Sequence, residues 1–169
     1  GQHLLSQAFE RAAEARTVSF HLGEEICTID VDRTPLDAES VARAERLANE
    51  ILLEDREVAI HLVSPDDLER FRLRKPTERL GKVRVIEVVG FDASACGGTH
   101  CARTGQIGPI KVRRWERRGA ETRVEFICGW RALGDYAWKH DLVRSLAEEF
   151  RARDRDLGAL EGVDEIRGF

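Results

Sequence analysis

The chain has 169 residues, 42% of them apolar, which suits one core of ordinary size and leaves little for a second large domain. Its 27 basic residues stand against 31 acidic ones, and the formal net charge of -4 excludes a broad basic surface for nucleic acid while leaving room for a local patch. No apolar run reaches the roughly 20 residues of a membrane crossing, and the four cysteines are too sparse for the disulfide framework of a small secreted domain, so the chain reads as cytoplasmic, with free thiols or metal ligands.

Leu4, Leu5, Ala8, Phe9 and Ala12 recur at helical spacing, so residues 2–15 are expected to form a helix with one buried face and His3 near its start. TVSFHLG and EEICTIDVD alternate and read as two short strands turning at Gly23. Thr34, Pro35 and Asp37 look like an N-cap, a proline at the first helical position and a near capping box, opening a helix that buries Val41, Ala44, Leu47 and Ile51 and runs to about Leu53. VAIHLVS reads as a strand, SPDD as a short turn or helix, KPTERLG as a linker, and KVRVIEVVG as a strand entering a loop. PIKVRRWERRG and ETRVEFICG predict a hairpin about Arg118 and Gly119. From about Leu133 to Arg155, Trp138, Leu142, Leu146 and Phe150 mark a long amphipathic helix, after which the pattern is lost.

Helices that each bury one face against a largely antiparallel sheet give an α+β fold. The organisation expected is a single domain over 1–157, with 133–155 as its C-terminal helix and 158–169 as a tail. The absence of methionine means that Gly1 is not an initiator, so the polypeptide is expected to be processed or to be the remainder of a longer chain.

The chemistry centres on the loop FDASACGGTHCARTGQIG, residues 91–108. Cys96 and His100 are good zinc ligands, and the two glycines between them let the loop turn both side chains toward one point. A buried cysteine beside a hydrogen-bonded histidine fits the same spacing. His21 and His61 sit in strands and read as sheet-face histidines, and His140 reads as solvated; His3, at the start of a helix, is the candidate third ligand. Cys101 would point away from His100 in an extended segment. Three ligands would leave zinc's fourth position open, as in a hydrolytic site. Gly105 and Gln106 lie in GQIG, which offers turn amides for a carbonyl or phosphate or is simply a tight turn. Arg72, Arg74 and Lys75, and Arg113, Arg114, Arg117 and Arg118 beside Trp115, are candidate phosphate contacts or ordinary solvated surface.

GQHLLSQAF, TVSFHLGEEICTIDVD and FDASACGGTHCARTGQIG, in that order, resemble the editing domain of alanyl-tRNA synthetases and their free-standing AlaX-type relatives, in the superfamily of the threonyl and alanyl tRNA synthetase second additional domain. The resemblance covers nearly the whole chain. It implies zinc-dependent hydrolysis of serine or glycine wrongly esterified to tRNA(Ala), with binding of the tRNA acceptor end. The family's HxxxH and CxxxH pairs map onto His3, Cys96 and His100, and the first histidine of HxxxH would fall two residues ahead of Gly1. On this reading Thr99 and His100 are catalytic, with Thr99 orienting the attacking water or the substrate amine. Gly105 and Gln106 meet the terminal adenosine, and Phe20 forms a wall. Gln7 and Thr99 are the candidates for rewarding a serine hydroxyl, because alanine is too small to be excluded by size. Two alternatives remain: a tRNA-binding module with an incomplete zinc site, and a zinc that only staples the loop. The last helix is available for a homodimer contact or for missing sequence.

Overall fold

The computed structural model describes residues 1–77 and 81–159; positions 78–80 of the expected linker and 160–169 of the expected tail lie outside the described residues. Contacts divide the chain into two compact units, 1–132 and 133–169.

In the first unit, α1 (Gln2–Ala13) forms where the apolar spacing placed it and buries Leu4, Leu5, Ala8 and Phe9. It stops at Glu14, whose left-handed backbone (φ 49°) turns the chain out of the helix. Strands β1 (Thr17–Leu22) and β2 (Cys27–Val31) form the expected hairpin. Helix α2 (Ala38–Leu53) starts later than Thr34 and Pro35 suggested. Asp37 is its N-cap: its carboxylate accepts from the Ser40 amide at 2.6 Å and the Ser40 hydroxyl at 2.9 Å, whereas the buried Thr34 hydroxyl makes no such bond.

Strands β6 (Ile110–Arg118) and β7 (Glu121–Cys128) complete a four-stranded antiparallel sheet of order β1-β2-β7-β6. One face of that sheet supplies Ile29, Val31, Val112, Val124 and Phe126, which pack with the apolar stripes of α1 and α2 into the main core. Asn49 ties α2 to the sheet's end, its amide donating to the Ile110 carbonyl at 2.8 Å and its oxygen accepting from the Ile110 amide at 2.9 Å.

A second antiparallel sheet, β3-β4-β5, joins β3 (Val58–Val63), β4 (Val83–Val88) and β5 (Asp92–Ala95). The sequence reading placed β5 inside a loop. Its small residues give no hydrophobic alternation, yet Asp92 and Ser94 point to one buried face and the strand pairs with β4 from Val85 to Val88. Phe91 and Val88 join this sheet to the main core. The fold is therefore α+β, with antiparallel sheets packed against helices.

Helix α3 (Trp130–Glu149) begins after Gly129 and ends short of the expected Arg155, followed by a 3-10 turn at Asp154–Ala159. Two glycines make its entry possible. Both Gly108 and Gly129 have positive φ, and a Cβ on Gly108 would stand 2.8 Å from the Gly129 Cα. In the second unit, the stripe of Trp138, Leu142, Leu146 and Phe150 stands exposed on and after α3. No described helix is long and apolar enough to cross a membrane.

Candidate metal centre

The sequence elements that carry the candidate ligands come from different parts of the first unit. The first turn of α1 presents His3, and the loop leaving β5 presents Cys96 and His100. That loop is held by Arg84 of β4, whose guanidinium donates to the Cys96 and Gly98 carbonyls, each at 2.8 Å. The donor atoms of His3, Cys96 and His100 all lie within 4.8 Å of one another. The two histidine Nε2 atoms face each other at 3.2 Å. Two imidazole nitrogens on one tetrahedral zinc stand about 3.3 Å apart, so the donor set of two imidazoles and a thiol fits that ion. Burial, with the charges of His3 and Arg84 close by, holds the His100 pKa below its ordinary value, which favours the neutral ring that a metal requires.

Behind His3 stands a residue that the sequence reading missed. Asp92, its side chain 1% exposed, receives His3 Nδ1 on Oδ2 at 3.2 Å and Arg74 Nε on Oδ1 at 2.9 Å. Burial alone would raise its pKa, but the hydrogen bond from His3 and the Arg74 charge outweigh that and hold it below the ordinary carboxylate value. The one signal in the sequence was period two: Asp92 and Ser94 lie on the strand face that leads to Cys96.

The candidate trio borders an open cavity of about 880 Å³ that is also lined by Thr99, Phe20, Leu22, Cys27, Lys75, Cys128 and Arg131. Thr99 and Phe20 are thus brought to the cavity with His3, Cys96 and His100, and both are exposed there. Gln7 is not. It lines a second cavity on the far side of Asp92, and with its amide nitrogen turned to Asp92 Oδ1 it donates at 3.1 Å and accepts from Arg11 Nε at 3.0 Å.

Gly105 and Gln106 also lie away from the cavity, because GQIG is used to brace the loop. Gln106 Oε1 accepts from the Ala102 and Arg103 amides at 2.9 and 3.2 Å, and the Gly105 amide donates to Asp55 at 3.1 Å. The neighbouring Thr104 is wholly buried, accepting from the Arg56 amide at 2.8 Å and donating to the Ile51 carbonyl at 2.9 Å.

The remaining candidates have local roles. Cys101 does not join the donor group among the described residues. His61 pairs with Glu87 at 3.0 Å, and His140 stacks on Tyr136. Arg74 is buried against Asp92 rather than free on a basic surface, and Arg114 and Arg118 pair with Glu125 and Glu116.

Residues 83–124, from β4 into β7, match the family model of the threonyl and alanyl tRNA synthetase second additional domain. The chain is 29% identical to alanyl-tRNA editing protein AlaX-L of Pyrococcus horikoshii over 99% of its own length and 45% of that protein. It is 32% identical to AlaX-M of Methanosarcina mazei, covering 72% of this chain and 51% of that one. Against the alanine-tRNA ligase of Pyrococcus abyssi it is 35% identical over 70% of this chain and 14% of the ligase. It thus spans about half the length of the two AlaX relatives and a small part of the ligase. The match to the family model falls on the strands and loop that carry Cys96 and His100, and the alignment to AlaX-L extends over the helix that carries His3, so the chain belongs to the superfamily of aminoacyl-tRNA editing domains that takes in the AlaX-type proteins and the second additional domain of threonyl and alanyl tRNA synthetases.

Proposed function

We propose that this domain hydrolyses the ester joining a wrongly attached serine or glycine to the terminal ribose of tRNA(Ala), with zinc held by His3, Cys96 and His100. The observation that carries the reading is the convergence of these three donors on the wall of an open cavity. The names of the relatives, alanyl-tRNA editing proteins, supply the substrate class.

When bound, zinc supplies Lewis acidity and a water of lowered pKa. The chain's own residues do the rest. His3 and His100 turn their Nε2 atoms toward a common point, and the Arg84 clamp fixes the loop that carries Cys96. Thr99, exposed on the cavity wall, offers a hydroxyl to orient the substrate amine or to reward a serine hydroxyl. Phe20 presents a ring on which the terminal adenine can stack. Lys75, whose ammonium donates to the Val18 carbonyl at 3.2 Å, lines the same cavity and offers a cation for the last phosphodiester.

The test is deacylation of Ser-tRNA(Ala), Gly-tRNA(Ala) and Ala-tRNA(Ala) by the 169-residue chain, with zinc and with a chelator, beside Cys96→Ala. Hydrolysis of the mischarged forms that needs zinc and Cys96 is expected. TRNA binding without hydrolysis would replace this reading with that of a binding module, and equal rates for Cys96→Ala and the parent would remove zinc from the mechanism.

A further inference from the structure

We propose that Asp92 is a positioning residue for the metal centre: it fixes the tautomer and aim of His3 while its own oxygens are kept from the metal by a complete set of donors. This rests on the metal reading of the His3, Cys96 and His100 site.

An ionised carboxylate accepts and cannot donate, and its two oxygens offer about four acceptor positions. At Asp92 all four have partners. Oδ1 takes Arg74 Nε at 2.9 Å and the Gln7 amide at 3.1 Å, and Oδ2 takes Ser94 Oγ at 3.0 Å and His3 Nδ1 at 3.2 Å. Arg74 also reaches Ser94 Oγ at 3.2 Å, so the three side chains brace one another. Two consequences follow. Because Oδ2 can only accept, His3 Nδ1 must carry the proton, and the lone pair is placed on Nε2, the atom that faces His100. Because Arg74 and Gln7 occupy Oδ1 while Ser94 and His3 occupy Oδ2, the carboxylate has no free oxygen to offer the metal as long as His3 is in place.

Burial makes the arrangement rigid. The Asp92 and Arg74 side chains are 1% and 7% exposed, so neither can swing to water without leaving the other unpaired. A carboxylate that orients a ligating imidazole in this way sharpens metal affinity by roughly 10- to 100-fold. In the sequence alone Asp92 is one acidic residue among many, marked only by its period-two spacing to Ser94 and Cys96, and its depth and four partners belong to the fold.

The experiment is metal titration of the whole chain in the absence of tRNA. Cobalt absorption reports the coordination and competition with a chelating dye gives the zinc affinity, for the parent, Asp92→Asn, the pair Asp92→Asn with Arg74→Met, and Ser94→Ala. The pair removes both buried charges, so it separates loss of the carboxylate from the effect of an orphaned arginine. Ser94→Ala keeps both charges and serves if the other variants do not fold. Affinity roughly 10- to 100-fold lower in Asp92→Asn and equally low in the pair is expected, with a smaller loss in Ser94→Ala. Affinities within twofold of the parent in the folded variants, or a parent that takes up no cobalt, would overturn the proposal. A parent whose metal affinity falls when Asp92 is replaced but that leaves Ser-tRNA(Ala) intact would defeat the proposed function and leave this inference standing. A parent that deacylates while Asp92→Asn holds zinc as tightly would do the reverse.

Discussion

Thr104 tests whether the second half of the CGGTHCARTGQIG loop is scaffold or substrate contact. Its hydroxyl is wholly buried, accepts from the Arg56 amide at 2.8 Å and donates to the Ile51 carbonyl at 2.9 Å, so it ties the loop to the C-terminal end of α2. Thr104→Val keeps the shape and deletes the oxygen. An amide left buried without an acceptor costs about 1–3 kcal/mol, and the lost bond to Ile51 about 1 kcal/mol more. The added methyl offsets about 0.8 kcal/mol. The net loss is about 1–3 kcal/mol, a fall in Tm of roughly 3–9 °C for a chain of this size. Urea and thermal unfolding measure it, with an unchanged m-value as the sign that only stability moved. At temperatures well below the variant's Tm, deacylation and zinc affinity should match the parent. A stability change under about 0.5 kcal/mol, or a fall in kcat/KM without one, would refute the reasoning, because the hydroxyl would then be spent on the substrate and not on the fold.

Phe20→Ala should raise KM for mischarged tRNA by about tenfold, consistent with about 1–3 kcal/mol for one stacked base, and leave Tm nearly unchanged because the ring is 57% exposed. A large drop in Tm with KM intact would place the ring in the core instead. Gly108→Ala should destabilise by more than about 1 kcal/mol, since its φ is 70° and its Cβ would meet the Gly129 backbone; a neutral result in chemical denaturation would contradict the close approach. Asp30 is held below the ordinary carboxylate pKa chiefly by the hydrogen bond from Arg123. A depressed folded pKa gives stability that is present above the unfolded carboxylate value of about 3.9 and is lost as pH falls through the folded one. The stability difference between the parent and Arg123→Met should therefore be full near pH 6 and shrink in acid; a difference that stayed constant down to pH 2 would assign it to packing. Zinc at about 1,000 times its Kd should add about 4 kcal/mol to unfolding, and a melting temperature indifferent to zinc would argue against a site in the folded state.

Much of the fold was legible because its elements obey local rules. The apolar period of α1, the alternation of β1 and β2, and the turn between β6 and β7 each announce themselves, and tertiary packing agrees with them. The start of α2 was misplaced because Thr34 and Asp37 are both good caps by residue type. The choice of Asp37 depends on where the chain enters from β2, which no local window contains. Strand β5 escaped notice for the opposite reason, since DASA has no apolar alternation and becomes a strand only by pairing with β4. At the site, His3, Cys96 and His100 were legible from ligand chemistry and family likeness together. Asp92 was not, because a carboxylate's role is set by its burial, and burial is a property of the finished fold.

The same distinction explains how the polar residues of the loop divide their work. In the loop's second half Thr104 meets Ile51 of α2 and Gly105 meets Asp55 in the segment after it, while Gln106 turns back on Ala102 and Arg103 within the loop. Those before and within CGGTH face α1 and the cavity. The second half therefore fixes where the loop stands relative to α2, and α2 packs directly with α1 in the main core. Since His3 rides on α1 and Cys96 and His100 ride on the loop, the donors can meet only when this packing is complete. A site assembled this way needs no residue of the brace to touch the substrate, and substitutions there should alter the fraction of folded molecules and not the chemistry of each one.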